Sequence, residues 1–254
     1  MTLAHYRLGK LPPKRLLGLP FSAKYTGALA PPPVSVDYGG SLKHLGMMLN
    51  NSLACCTISG LGHTIQTWTS ITRDAEVVLP DSEILALYEQ IGGYVPGRPQ
   101  TDNGCVATDV LRYWYNNPVL GHVLSAFASV RPGNRLDVKN AIWLFGVAYV
   151  GVQLPLTAQN GPWDVAAGAS MLTGDSAAGS WGGHLVPVIA YDEDSLTCIT
   201  WGALKKFTWR FWDAYCDEAY AMFGPDWIEK DSKSPSGFLT AGLLDDVQTL
   251  KQGA

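Results

Sequence analysis

Two cysteines stand side by side in "NNSLACCTISGLGHTIQTW", residues 50–68, ahead of apolar residues Ile58, Leu61, Ile65, Trp68 and Ile71. Their spacing of three and four predicts a helix over 57–72, with Cys56 at or just before its first turn. A thiol at that place lies among free backbone N–H groups and the positive end of the helix dipole. Both favour the thiolate, which is the nucleophilic form. The competing reading is that Cys55 and Cys56 are small core hydrophobes, the ordinary fate of a free cysteine.

A nucleophile of this kind needs a base that the fold brings beside it. His63 lies seven residues along the same helix, about 10 Å from Cys56 at 1.5 Å per residue, and reads as a packing residue. His5, His44 and His122 read as surface or structural histidines. His184 differs, because it follows "SWGG" and opens the run "HLVPVIAYDEDS". The glycines before it permit close approach of another chain segment, and a strand would hold the ring rigidly. A base above a cleft would look like this, and so would an ordinary histidine at a strand start.

These residues need a frame to position them. Residues 1–33 are proline-rich, end in "APPPV" and read as an extended N-terminal arm. After the helix over 57–72, a second is expected over 81–91, with Asp81 as its cap and a stripe of Ile84, Leu87, Tyr88 and Ile91. A loop over 92–105 leads to a helix over 107–116. A strand over 122–130, a helix over 135–145 and a buried strand over 147–154 follow. A Gly/Ala/Ser-rich loop covers 157–182 and reads as either a lid or a linker. Then come strands 184–191 and 196–201 around the turn "DEDS", an aromatic-rich segment 205–212, a helix near 212–220, and a short strand ending at "DWI". Helices come first and strands mostly later, which predicts an α+β fold with a site in the cleft between its halves. The expected division is a single domain over 34–254, with a helical half at about 34–120, a sheet half at about 121–230 and a C-terminal tail over 231–254.

Composition excludes several classes. The 254 residues are 47% hydrophobic, enough for a substantial core, and carry a formal charge of −4 with no basic run, so no nucleic-acid partner is expected. No apolar run reaches the roughly 18–20 residues that span a bilayer. No secretory signal is legible, and a cytoplasmic or virion-associated location is expected. Five irregularly spaced cysteines without a Cys/His cluster argue against a disulfide framework and against a structural metal. No cofactor is expected.

Taken in order, the segments resemble the papain-like cysteine peptidases over about residues 34–230. "VSVDYGG" (34–40) is similar to the start of the mature family domain, and nineteen residues separate Asp37 from Cys56, as in the family. "NNSLACCTIS" stands where the family carries Gln-Gly-x-Cys-Gly-x-Cys-Trp-Ala. "DNGCVATDVLRYW" resembles the Gly-Cys-x-Gly-Gly segment and its helix. "SVRPGNRLDVKNAIWLFGVAYVGVQLP" resembles the helix that precedes the strand "PVSV". "GGHLVPVIAYDEDSLTCITWG" is similar to the histidine strand and the Asn-Ser-Trp-Gly strand after it. The chain also resembles papain-fold proteins of bacteria and their phages, which carry Gly-Asp-Cys-Thr where this one has Ala54-Cys55-Cys56-Thr57.

The resemblance implies a papain-like α+β fold, a helical half packed against an antiparallel sheet or half-barrel. It implies Cys56 as nucleophile, His184 as general base and acid, and Asn50, six residues before Cys56, as the oxyanion-hole donor. Trp201 matches the tryptophan that shields the histidine's partner. The orienting asparagine of the family falls on Ile199, which cannot hydrogen-bond through its side chain. Thr200 would replace it after a small register shift, and otherwise the site is a Cys-His dyad. Thr57 stands where the family has tryptophan, and Leu53 stands at the disulfide partner of the Cys105-like position, so that bridge cannot form. Two functions follow. One is a cysteine peptidase or amidase acting on a peptide or protein. The other is a catalytically weak or inactive papain-fold structural or binding protein, such as a phage-particle component, whose N-terminal arm straps onto a protein partner.

Overall fold

A computed structural model of the chain describes residues 6–14, 31–73, 75–228 and 234–237. The expected arm over 1–33 is therefore described only at 6–14 and 31–33. Most of the expected tail over 231–254, and His5, lie outside the described residues.

Five helices and seven strands form an α+β fold. Strand β1 is Val36–Asp37 and helix α1 is Cys56–Thr72. Helices α2 (Asp81–Gly92) and α3 (Ala107–Asn116) complete the first, helical part. Then follow β2 (Ala126–Val130), α4 (Arg135–Phe145), β3 (Ala148–Leu154), β4 (Gly182–Tyr191) and β5 (Ser195–Thr200). The last elements are β6 (Ala203–Thr208), α5 (Trp209–Tyr215) and β7 (Cys216–Phe223). The sheet is antiparallel throughout, in the order β2-β7-β3-β4-β5-β6, with β1 added on β4.

Helix α1 is the axis of the molecule. The 3–4 spacing of its apolar residues suggests one buried face, yet every residue from Cys56 to Ser70 is buried. Its hydroxyls make this possible by bonding carbonyls one turn back: Thr64 to Gly60 at 2.8 Å, Thr67 to His63 at 2.8 Å and Thr69 to Ile65 at 2.8 Å. Such back-bonded Ser and Thr enter a core without an orphaned donor. Gly60 lets the helix lie hard against the sheet, since a Cβ there would stand 2.6 Å from Leu185 Cδ2. Tyr149 on β3 donates to the Thr57 carbonyl at 2.6 Å and fixes the first turn from the other side.

Four expectations need correction. The helix expected near 212–220 ends at Tyr215, and Cys216–Phe223 is a strand between β2 and β3. Ala219–Phe223 are buried on both faces of the sheet and so lose the alternation that would mark them. The closing strand at "DWI" is a single 3₁₀ turn over Pro225–Trp227, whose Trp227 indole donates to the Leu144 carbonyl at 2.6 Å. The strand expected from 122 begins only at Ala126, because Val119 and His122 close a tight turn on each other. Asp81 is the first residue of α2, and Pro80 occupies the cap.

Candidate active site

Cys56 opens α1, and Cys55 sits at the cap position with no side-chain cap bond. Both thiols are completely buried, and burial pushes Cys56 up to about 11 and Cys55 up to about 12. For Cys56 the backbone N–H groups of Leu185, Gly9 and Thr57 and the Lys10 ammonium oppose that rise. The sulfur therefore lies against β4, one residue beyond His184, in a place built of hydrogen-bond donors. Cys55 instead points its sulfur at the Met48 carbonyl, 3.6 Å away, and Ser59 Oγ, 3.5 Å away.

His184 is fully buried on β4, where it pairs with Val152 of β3. Its Nε2 lies 2.7 Å from Thr200 Oγ1 at the end of β5, and its Nδ1 is buried with no hydrogen-bond partner. Burial lowers its pKa to about 3, so the ring is neutral. With the proton on Nε2 donated to Thr200, the Nδ1 lone pair is the available base. Trp201 stacks on the imidazole at 4.5 Å and 14°. That stacking is set by the turn between β5 and β6: Trp201 and Gly202 both take positive φ, 46° and 70°, across the pair Thr200–Ala203. This is the two-residue turn that matches strand twist, at the cost of a left-handed tryptophan. Ile199 is buried and turns to the opposite face of β5 from Thr200.

Asn50 is buried in the turn before α1, and its Oδ1 has no partner. Met48 and Leu49 just before it hold positive φ of 46° and 61°. Leu53 N–H bonds the Leu49 carbonyl at 2.9 Å and Ser59 Oγ bonds the Met48 carbonyl at 2.9 Å, tying this strained turn to the helix start. The unpartnered atom of Asn50 is thus its acceptor oxygen, whereas an oxyanion-hole role would use the amide N–H₂.

The groove beside Cys56 is filled by residues 6–14 of the same chain. Lys10 N–H donates to the Gly183 carbonyl at 3.0 Å, Leu11 N–H to the Cys105 carbonyl at 3.0 Å, and Cys105 N–H to the Gly9 carbonyl at 2.9 Å. The segment is so close that a Cβ at Gly9 would stand 1.8 Å from the Ala54 carbonyl oxygen, and one at Gly183 2.2 Å from the Lys10 carbonyl oxygen. Tyr6 stacks on Trp201 at 4.5 Å, and Lys14 pairs with Asp109 at 2.6 Å. Gly9 turns its N–H toward the Cys56 sulfur while its carbonyl goes to Cys105. The Leu8–Gly9 peptide is trans, so its carbonyl points away from that N–H. The arm thus presents a backbone donor to the Cys56 sulfur.

Of the residues that the family resemblance singled out, the structure brings His184, Thr200 and Trp201 together, while Cys56 lies against Leu185, the next residue on β4, with no hydrogen bond to His184. His63 is instead bonded to Gln66 at 2.8 Å, His122 to Asp226 at 2.7 Å and His44 to Glu76 at 2.9 Å. The close approach read from Gly182-Gly183 is real, and the visitor is the arm. Missed from sequence were Gly9 and Lys10, and the acidic pair Asp217-Glu218 that holds Lys10. Two adjacent acids inside an apolar run were the available signal, since one of them must face inward on a strand. Among the described residues no group of three His, Cys, Asp or Glu could hold a metal ion, and no helix is long and apolar enough to cross a membrane.

The architecture is that of the papain-like cysteine proteases. Xylellain, a cysteine protease from Xylella fastidiosa, superposes with a TM-score of 0.63 at 12% identity, covering 85% of this chain and 96% of that one. Digestive procathepsin L 3 of Tenebrio molitor larval midgut gives 0.57 at 14% identity, over 87% and 77% of the two chains. The bromelain protease of Ananas comosus in complex with the E64 inhibitor gives 0.53 at 12% identity, over 75% and 98%. No protein-family model and no curated protein matches the sequence.

Proposed function

We propose that the chain is a papain-type cysteine peptidase or amidase held closed by its own residues 6–14. Cys56 Sγ attacks a peptide or amide carbonyl carbon, and its proton passes to His184 Nδ1. Asn50 and the backbone N–H at Cys56 receive the developing oxyanion. The tetrahedral intermediate collapses, His184 returns the proton to the leaving amine, and a water activated by the same ring then hydrolyses the thioester. Thr200 orients the imidazole in place of an asparagine, and Trp201 shields it.

The observation that carries this reading is the division of labour on His184. Its Nε2 is held by Thr200 while its Nδ1 is left without a partner beside the strand position that touches Cys56. The test is adduct mapping with the epoxide inhibitor E-64 on wild type, Gly9→Val, Cys56→Ser and Gly9→Val/His184→Ala. Adduct on Cys56 of Gly9→Val, lost with His184→Ala, is expected.

The burial of Cys56 and the lack of a Cys56–His184 hydrogen bond favour a second reading, a papain-fold binding protein without turnover. On that reading Cys56 in the Gly9→Val chain reacts no faster than a free thiol and is indifferent to His184.

A further inference from the structure

Lys10 is the residue by which the arm is anchored, and its surroundings are built for a cation. Its side chain is fully buried, with Nζ 2.8 Å from Asp217 Oδ2 and 2.9 Å from Glu218 Oε1 on β7. Gln153 of β3 donates to Asp217 Oδ2 at 2.6 Å, and Tyr220 donates to Glu218 Oε2. Each carboxylate is thereby fixed in direction before the ammonium arrives. Asp217 Oδ1 is buried and still has no partner. The wall along the lysine stem is Gly151: a Cβ there would stand 2.6 Å from Glu218 Cγ and 2.8 Å from Lys10 Cδ. The missing side chain at Gly151 thus leaves room for the unbranched lysine stem, which ends at two carboxylates.

The arm must leave this groove before a substrate can reach Cys56. When Lys10 withdraws, two neighbouring carboxylates lose their counter-cation, Glu218 buried and Asp217 partly exposed, and the buried one is left unpaired at a cost. A substrate that brings its own cation removes that penalty, and one that brings a neutral side chain does not. Resting on the peptidase reading above, we infer that Asp217, Glu218 and Gly151 form a specificity pocket that selects polypeptides presenting lysine or arginine beside the attacked bond. Lys10 occupies that pocket as the resident competitor.

The experiment uses the full-length Gly9→Val chain, whose arm is displaced by the clash with Ala54. It is incubated with a proteome-derived peptide library, and the sequences around each cut are read by mass spectrometry. Lysine or arginine enriched at least fivefold at one fixed position, with the enrichment lost in Asp217→Asn/Glu218→Gln, is the expected result. Cleavage with no basic preference overturns the pocket and leaves the peptidase reading standing. A second measurement needs no turnover: calorimetric binding of the synthetic peptide corresponding to residues 6–14 to Gly9→Val/Cys56→Ser. Replacing its Lys10 position by norleucine should weaken binding at least tenfold, and equal affinities would overturn the pocket. Tenfold selectivity without any cleavage would retain the pocket and refute the peptidase reading. Should Gly9→Val fail to fold, Lys10→Met displaces the same arm by removing its anchor and takes its place in both arms of the test.

Discussion

At the scale of single residues, the account rests on which atom holds which nitrogen of His184. Thr200→Val removes the hydroxyl oxygen bonded to Nε2. A lost hydrogen bond of about 1.4 kcal/mol corresponds to a tenfold slower, His184-dependent modification of Cys56 in the Gly9→Val background, and Thr200→Ser should restore it. Ile199→Asn should not rescue Thr200→Val, because position 199 faces away from the ring; stopped-flow alkylation would check both. His184 also contributes a pH dependence. Its folded pKa of about 3 lies below the ordinary 6.5, so the unfolded chain binds the proton first. Stability is complete above about pH 6.5 and declines as pH falls toward 3, and His184→Asn should flatten that part of the urea-midpoint profile. A slope unchanged by the substitution would show that His184 is not buried neutral.

At the scale of elements, the arm and the turn before α1 matter most. In the wild-type chain Cys56 should resist alkylation until pH approaches about 11, since its thiol is buried beneath Gly9. Gly9→Val and Lys10→Met should each bring that rise to lower pH by exposing the sulfur, as followed by intact-mass kinetics. Gly202→Val should destabilise the chain by about 1–2 kcal/mol in urea melts, because it forces a branched residue to positive φ in the turn that carries Trp201. The helices at 107–116 and 135–145 have the bounds read from the sequence, and the second also carries a side-chain cap. Asn134, whose side chain accepts from Leu136 and Asp137 N–H, is a cap of the ordinary kind. The strand at 216–223 was not legible, since burial on both faces erases its alternation. Cys56 and His184, the proposed nucleophile and base, were singled out in the sequence by the helix start, by the glycines before the strand and by the family resemblance. The docking of residues 6–14 was not, because its backbone bonds leave no side-chain trace and the side-chain partners of Tyr6, Lys10 and Lys14 lie far away in sequence.

At the scale of the whole molecule, one buried helix joins the two halves, and the site lies where its N-terminus meets the sheet. Trp68 on α1 donates to the Phe145 carbonyl at 2.7 Å and Thr72 to the Asp226 carbonyl at 2.7 Å, so the far end of the helix is tied down as firmly as Cys56. The arm bonds Cys105 on one side of the groove and Gly183 on the other, a clasp across both halves. On the proposed function closure and catalysis compete for the same groove, and the measurement that tests this most directly is the iodoacetamide alkylation rate of Cys56 in three full-length chains. Wild type should react slowly, Gly9→Val at least tenfold faster, and Gly9→Val/His184→Ala slowly again. Equal rates in wild type and Gly9→Val, or a fast rate that survives His184→Ala, would contradict the account.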